Sequence, residues 1–198
     1  MRAVLFAATL FLASPAFAGG EACRGVAGIY GPKPTTAQHA SMRKLVHQVA
    51  AAEGVDPAAL EAIAMVETGL RPAVGLDCEL GPFQVMQFWS PIFQLASPAL
   101  LWDLRINATA AARVYKAALA RFRPRFSQLA KNPALRRAGF RGQKLDALTF
   151  AALAYHWGAA PKVLASRDPA TSKIPASAAR YAVEFKRQLA AARARRAN

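Results

Sequence analysis

The chain has 198 residues, with 26 Lys or Arg against 11 Asp or Glu and a formal net charge of +15. That length suits one domain with a buried core and is short for two, while so large a basic surplus points to a polyanionic partner. There is no zinc-ligand spacing, RNP-like strand or recognition helix, so no nucleic-acid partner is expected.

In chain order, Met1 and Arg2 lead an apolar stretch from Ala3 to Leu12, followed by Ala16, Phe17 and Ala18. This is the pattern of a secretory signal peptide cut after Ala18 at a small-residue site. The apolar run is shorter than the roughly 20 residues that span a bilayer, and no lipobox precedes Cys23. The mature chain is expected to be periplasmic or secreted and to lack a transmembrane anchor. Residues 19–38 then read as an N-terminal tail, 39–192 as the folded domain and 193–198 as a basic C-terminal tail. Cys23 and Cys78 are an even pair in an oxidising compartment, where a bridge is commoner than a catalytic thiol. Closing that loop of about 55 residues would stabilise the fold by about 4 kcal/mol before strain and pin the tail.

From Met42 onward the apolar residues recur at three and four spacing, with few alternating runs, so the fold class is expected to be all-α. Met42, Leu45, Val46, Val49 and Ala50 form one stripe, which Gly54 closes. Asp56 and Pro57 are an N-cap and a first-turn proline, predicting a second helix from Pro57 to Thr68 that Gly69 ends. Asp103 opens a helix through Leu119, residues 145–158 predict another, and a last helix from Pro175 to about Ala192 carries Ala178, Tyr181, Ala182, Phe185 and Leu189 on one side. The regions 70–102, 121–144 and 159–174 read as loops or short helices. Between Arg121 and Lys144 stand eight Lys or Arg and no acid, and between Lys186 and Asn198 five with no acid. Each run is either a solvated face or a binding surface.

Glu67 breaks the pattern of the second helix. Leu60, Ile63, Ala64 and Glu67 fall at i, i+3, i+4 and i+7, which places a carboxylate in the buried stripe, while Glu53 and Glu61 fall off it. An acid in that position is either paired or held for proton transfer. Asp77 and Glu79 sit on a loop and read as solvated. The histidines His39, His47 and His156 are too scattered for a metal site. There is no phosphate-cradling glycine loop or serine elbow, and no cofactor is implied. Trp89, Trp102 and Trp157 read as core.

The sequence Ala64-Met65-Val66-Glu67-Thr68-Gly69-Leu70 is followed by Gly81-Pro82-Phe83-Gln84-Val85-Met86, then by Leu101 to Asn107, then by Ala154-Tyr155-His156-Trp157-Gly158, then by Tyr181. These five elements, in this order over residues 39–190, resemble the soluble lytic transglycosylase family. Its pattern is Glu-Ser at a helix end, Gly-Leu-Met-Gln-Val-Met, an Asn-bearing helix, Tyr-Asn-x-Gly and a late Tyr. Thr68 stands here for the usual Ser, Pro82 and Phe83 for Leu and Met, and His156 for Asn. These departures bear on substrate preference more than on reaction type.

The resemblance implies a predominantly helical domain of the lysozyme-like superfamily, formally α+β, with a substrate cleft. It implies an exported enzyme that cuts the β-1,4 bond between N-acetylmuramic acid and N-acetylglucosamine in peptidoglycan and leaves a 1,6-anhydro end. Glu67 would be the catalytic acid and base, with Tyr155 holding it through a hydroxyl hydrogen bond. Thr68, Phe83, Gln84, Asn107, His156 and Tyr181 would line the substrate site, and Gly81 and Gly158 would permit close backbone approach. The partners implied are peptidoglycan strands and, for a small member, the assembly proteins of a secretion system, pilus or flagellum. Two other classes fit the same residues: a goose-type-like lysozyme using water as nucleophile, and a non-catalytic wall-binding or assembly protein.

Overall fold

The computed structural model describes residues 28–86, 93–122, 146–156 and 176–197. The first helix, α1 (Thr36–Glu53), starts at a reciprocal cap in which Thr35 Oγ1 accepts from Gln38 N–H and the Gln38 side chain accepts from Thr35 N–H. It ends at Gly54, whose φ of +69° is the left-handed turn that glycine adopts without strain. The second, α2 (Pro57–Glu67), starts at Asp56, whose Oδ1 accepts from Ala58 N–H at 2.9 Å, and is capped by Thr68 and Gly69. The ends marked in the sequence by Gly54, by Asp56 with Pro57 and by Gly69 match these positions, whereas the Thr35 cap is not among the expectations.

A short hairpin follows, β1 (Glu79–Leu80) and β2 (Val85–Met86), antiparallel with Leu80 opposite Val85. Next come a 3-10 turn (Pro98–Trp102) and then α3 (Leu104–Phe122), α4 (Ala147–His156) and α5 (Ala176–Ala197). The described residues are therefore mostly helical, as the periodicity implies. The hairpin lies in a region expected to hold only loops or short helices, because strands of two residues are too short to print an alternating pattern.

The helices close into a ring of neighbours: α1 on α2, α2 on α5, α5 on α4, α4 on α3 and α3 on α1. As a result α2 is enclosed on more than one side, and Ala58 to Ala64 are all buried. This overturns the single-stripe reading of that helix. Glu61, expected to lie off the buried face, is 1% exposed. It receives His47 Nε2 at 2.7 Å and Arg195 Nη2 at 2.6 Å, with Arg43 Nε 3.1 Å away but out of line for a hydrogen bond. A carboxylate so buried persists only because cations and donors surround it.

The C-terminal tail expected from residue 193 is also helical. Through Ala197 it continues α5, with Arg195 on Glu61 and Arg193 on Asp56 at 2.9 Å. The basic run of the last helix therefore ties it to α2. Residues 28–31, part of the expected N-terminal tail, are docked: Gly28 N–H donates to Val74 O, Val74 N–H to Ile29 O and Gly31 N–H to Pro72 O. Cys78 is disulfide-bonded; Cys23, the other cysteine of the sequence, lies outside the described residues. So do residues 123–144 of the basic segment, Trp89, Trp157 and Gly158. Trp102, read as core, is instead 46% exposed, because Leu101 takes the inward position of the 3-10 turn. No helix among the described residues is long and apolar enough to cross a membrane.

Candidate active site

Glu67 is the last residue of α2, where the helix leaves the core, and its side chain is 11% exposed. Its Oε1 accepts a hydrogen bond from the Tyr181 hydroxyl at 2.8 Å. Tyr181 reaches it from α5, the helix packed most extensively on α2. The Tyr181 ring stacks on the His156 imidazole, centroids 4.1 Å apart and planes 11° from parallel. That stacking brings His156 Nδ1 to 3.9 Å from Glu67 Oε1, an ion-pair separation for a protonated imidazole and too long for a hydrogen bond. Glu67, His156 and Tyr181 thus meet from three helices.

Tyr155 does not hold Glu67. Its hydroxyl donates to Phe83 O at 2.6 Å, anchoring the turn between β1 and β2. The assignment by resemblance is corrected at this point: the tyrosine on the acid is Tyr181, because α5 presents it directly to the end of α2 while Tyr155, one position before His156, points to the hairpin. Burial first, and the Glu67 charge second, raise the pKa of both phenols well above the usual tyrosine value. Each therefore stays a neutral donor at physiological pH.

The remaining predicted contacts build the hairpin turn. Asn107, at 0% exposure, accepts from Phe83 N–H through Oδ1 and donates through Nδ2 to Leu80 O, both at 2.9 Å. Its amide is occupied by backbone and does not face a cleft. Gly81 has φ +76°, and a Cβ there would come within 2.7 Å of the Asn107 side chain, so its role is the close approach of that amide. Thr68 donates its hydroxyl to Pro82 O at 2.9 Å, and Gln84 donates to Gly81 O at 2.9 Å. Gln84 itself holds φ +51°, a backbone form that costs a non-glycine residue energy and that these bonds maintain. Phe83 is fully buried. Thr68, Gly81, Phe83, Gln84 and Asn107 thus form a rigid bracket behind Glu67, while His156 and Tyr181 stand beside it.

Beside Glu67 opens a groove of about 450 Å³, walled by the end of α2 and the segment 30–34. Glu67 is its one acidic residue among those described; Lys33, His39 and Arg71 also line it. Sequence reading missed Tyr30 and Arg71, whose only signal was a cation four positions after Glu67. A scan against protein-family models finds no match for the chain, and a search of curated proteins finds no similar sequence.

Proposed function

We propose that this chain is an exported peptidoglycan lytic transglycosylase in which Glu67 transfers every proton of the reaction. The observation that carries the reading is the combination at one helix end: a nearly buried carboxyl, fixed by Tyr181 and flanked by His156, on the wall of an open groove. Residues from each of the five sequence elements that resemble the family, Glu67, Phe83, Asn107, His156 and Tyr181, lie there or on the bracket behind it, which supports the reading, and a signal-peptide-like N-terminus fits a wall substrate.

In this mechanism Glu67, protonated, gives its proton to the oxygen of the scissile glycosidic bond, and that bond to the muramic anomeric carbon breaks. The resulting carboxylate takes the proton from the muramic 6-hydroxyl, whose oxygen bonds to the anomeric carbon. No water is consumed, and Glu67 ends as it began. One carboxyl suffices because the nucleophile belongs to the substrate, unlike the paired carboxylates of most glycoside hydrolases. Tyr181 aims the carboxyl, and the buried bracket keeps the end of α2 from shifting.

Digestion of purified peptidoglycan followed by mass analysis of the fragments tests the reading. The expected ends are 1,6-anhydromuramic, one water lighter than a hydrolase product, and Glu67→Gln is expected to lose at least about 100-fold in rate while retaining the fold. Reducing ends would assign the chain to the hydrolases. A Glu67→Gln protein with more than about a tenth of the rate would remove Glu67 as the general acid.

A further inference from the structure

Arg71 differs from most arginines of the described chain. Arg193 and Arg196 pair with Asp56, Arg195 with Glu61, Arg113 with Glu53 and Arg187 with Glu184. Arg71 has no acidic partner among the described residues, yet it is held at two points. Its Nε donates to Thr68 O at 3.0 Å, and its guanidinium lies 4.8 Å above the centre of the half-exposed Tyr30 ring. Lys33, exposed and likewise without an acidic partner among the described residues, lines the same groove. The groove also holds His39, whose Nδ1 is buried without a hydrogen-bond partner. Burial first and Arg43 second lower the His39 pKa, so its imidazole is neutral near pH 7. Among the described residues, the cationic groups of the groove are therefore Arg71 and Lys33, one held in place and one adaptable.

We propose that this groove is a carboxylate-binding subsite, in which Arg71 and Lys33 grip an anionic substituent of the glycan strand next to the bond whose oxygen Glu67 protonates. With Nε engaged on Thr68, the terminal nitrogens of Arg71 remain as a pair of parallel donors, the geometry that matches a carboxylate. Stacking on Tyr30 has already removed much of the rotamer freedom that binding would otherwise cost. Thr68 directly follows Glu67, so an anion on Arg71 fixes the sugar relative to the catalytic carboxyl. The inference rests on the wall-glycan reading above and names what that substrate must carry. Two sources share the chemistry: the lactyl carboxylate of a peptide-free muramic residue, and the carboxylates of its stem peptide.

The test uses the full-length Glu67→Gln protein, which binds without turnover, and three oligosaccharide probes cut from wall glycan. One is peptide-free with free lactyl carboxylates, one is the same strand with those groups converted to neutral methylamides, and one carries stem peptides. An anionic probe is expected to bind about tenfold more tightly than the methylamide, the scale of one charge-assisted hydrogen bond. Whichever anionic probe shows the preference identifies the source. Adding Arg71→Gln should erase that preference, Arg71→Lys should keep part of it, and Lys33→Gln should weaken it. Because Lys33 has no described partner, Lys33→Gln also tests the groove without risk to the fold. Equal binding of all three probes, or a preference that survives both Gln variants, would overturn the subsite and leave the transglycosylase reading standing. Binding of none of them would overturn the wall-glycan reading itself.

Discussion

Tyr181→Phe removes one oxygen atom and leaves everything else at the site in place. The Phe ring still stacks on His156, and α5 keeps its packing on α2. What disappears is the 2.8 Å bond to Glu67 Oε1, between a residue 6% exposed and a side chain 11% exposed. A hydrogen bond to a carboxylate in such a setting is worth about 1.5–3 kcal/mol. At roughly 1.4 kcal/mol per decade, its complete loss from the transition state would cost about ten- to a hundredfold in kcat. Under the proposed mechanism KM should hardly move, because the Tyr181 hydroxyl is committed to Glu67 Oε1. Stability should fall by about 1–3 kcal/mol, since the variant leaves the nearly buried Glu67 Oε1 without its donor. Steady-state kinetics on solubilised glycan and a urea titration measure the two effects. Tyr155→Phe provides the contrast: it strips Phe83 O of its donor and should loosen the hairpin turn, lowering stability with a smaller effect on kcat. A Tyr181→Phe enzyme within twofold of wild type would refute the positioning role. If Tyr155→Phe lost the larger factor in kcat, the acid would be held as the family resemblance implies and not as found here.

Two further predictions concern the frame around the site. Burial favours the neutral form of Asp56, but hydrogen bonds from Arg193 and Ala58 N–H outweigh it and lower its pKa below the ordinary value. A carboxyl so depressed contributes stability that is present above its unfolded pKa of about 4 and is lost as the pH falls through the folded value. Asp56→Asn keeps the helix cap and removes the charge, so at neutral pH it should destabilise by about 0.5–1 kcal/mol, the range for a partly exposed pair. That gap should begin to close below about pH 4 and vanish once the pH is below the depressed folded pKa; a gap that persisted in strong acid would mean that packing, not charge, holds α5 to α2. Gly81→Ala should destabilise by about 2 kcal/mol or more in thermal unfolding, from the positive φ and the overlap with Asn107 together, and a neutral effect would refute the bracket.

Local signals were legible in the sequence, and partners across the fold were not. Gly54, Asp56 with Pro57, and Gly69 mark helix ends through the backbone chemistry of the residues themselves, and the structure ends α1 and bounds α2 at those positions. Glu61 was misread because periodicity assumes one buried face, whereas α2 is enclosed by α1 and α5 together. Asn107 bonds to backbone 24 and 27 positions earlier, a span that no local pattern encodes. The exchange of Tyr181 for Tyr155 has the same origin. Both are polar-tipped residues in apolar stripes, and which one reaches Glu67 is decided by the placement of α4 and α5 relative to the end of α2.

The net charge of +15 takes on a more specific meaning once its described part is divided by what each cation touches. Arg193, Arg195 and Arg196 compensate Asp56 and Glu61 and so hold the last helix to the helix that carries Glu67. Those charges serve the frame, and a polyanion would have to compete with carboxylates for them. Arg71 and Lys33 have no such competitor among the described residues, and they open onto the groove that contains the acid. A diffuse basic surface would attract an anionic wall but would not orient it, because exposed charges are screened beyond about 8 Å at physiological ionic strength. Two cations on the wall of the groove that holds Glu67 act within that distance on whatever the groove contains. Among the described residues, the cations that bear on the proposed reaction are therefore few and local, and the consequence proposed for them is discrimination between charged and neutralised strands rather than overall affinity for the wall.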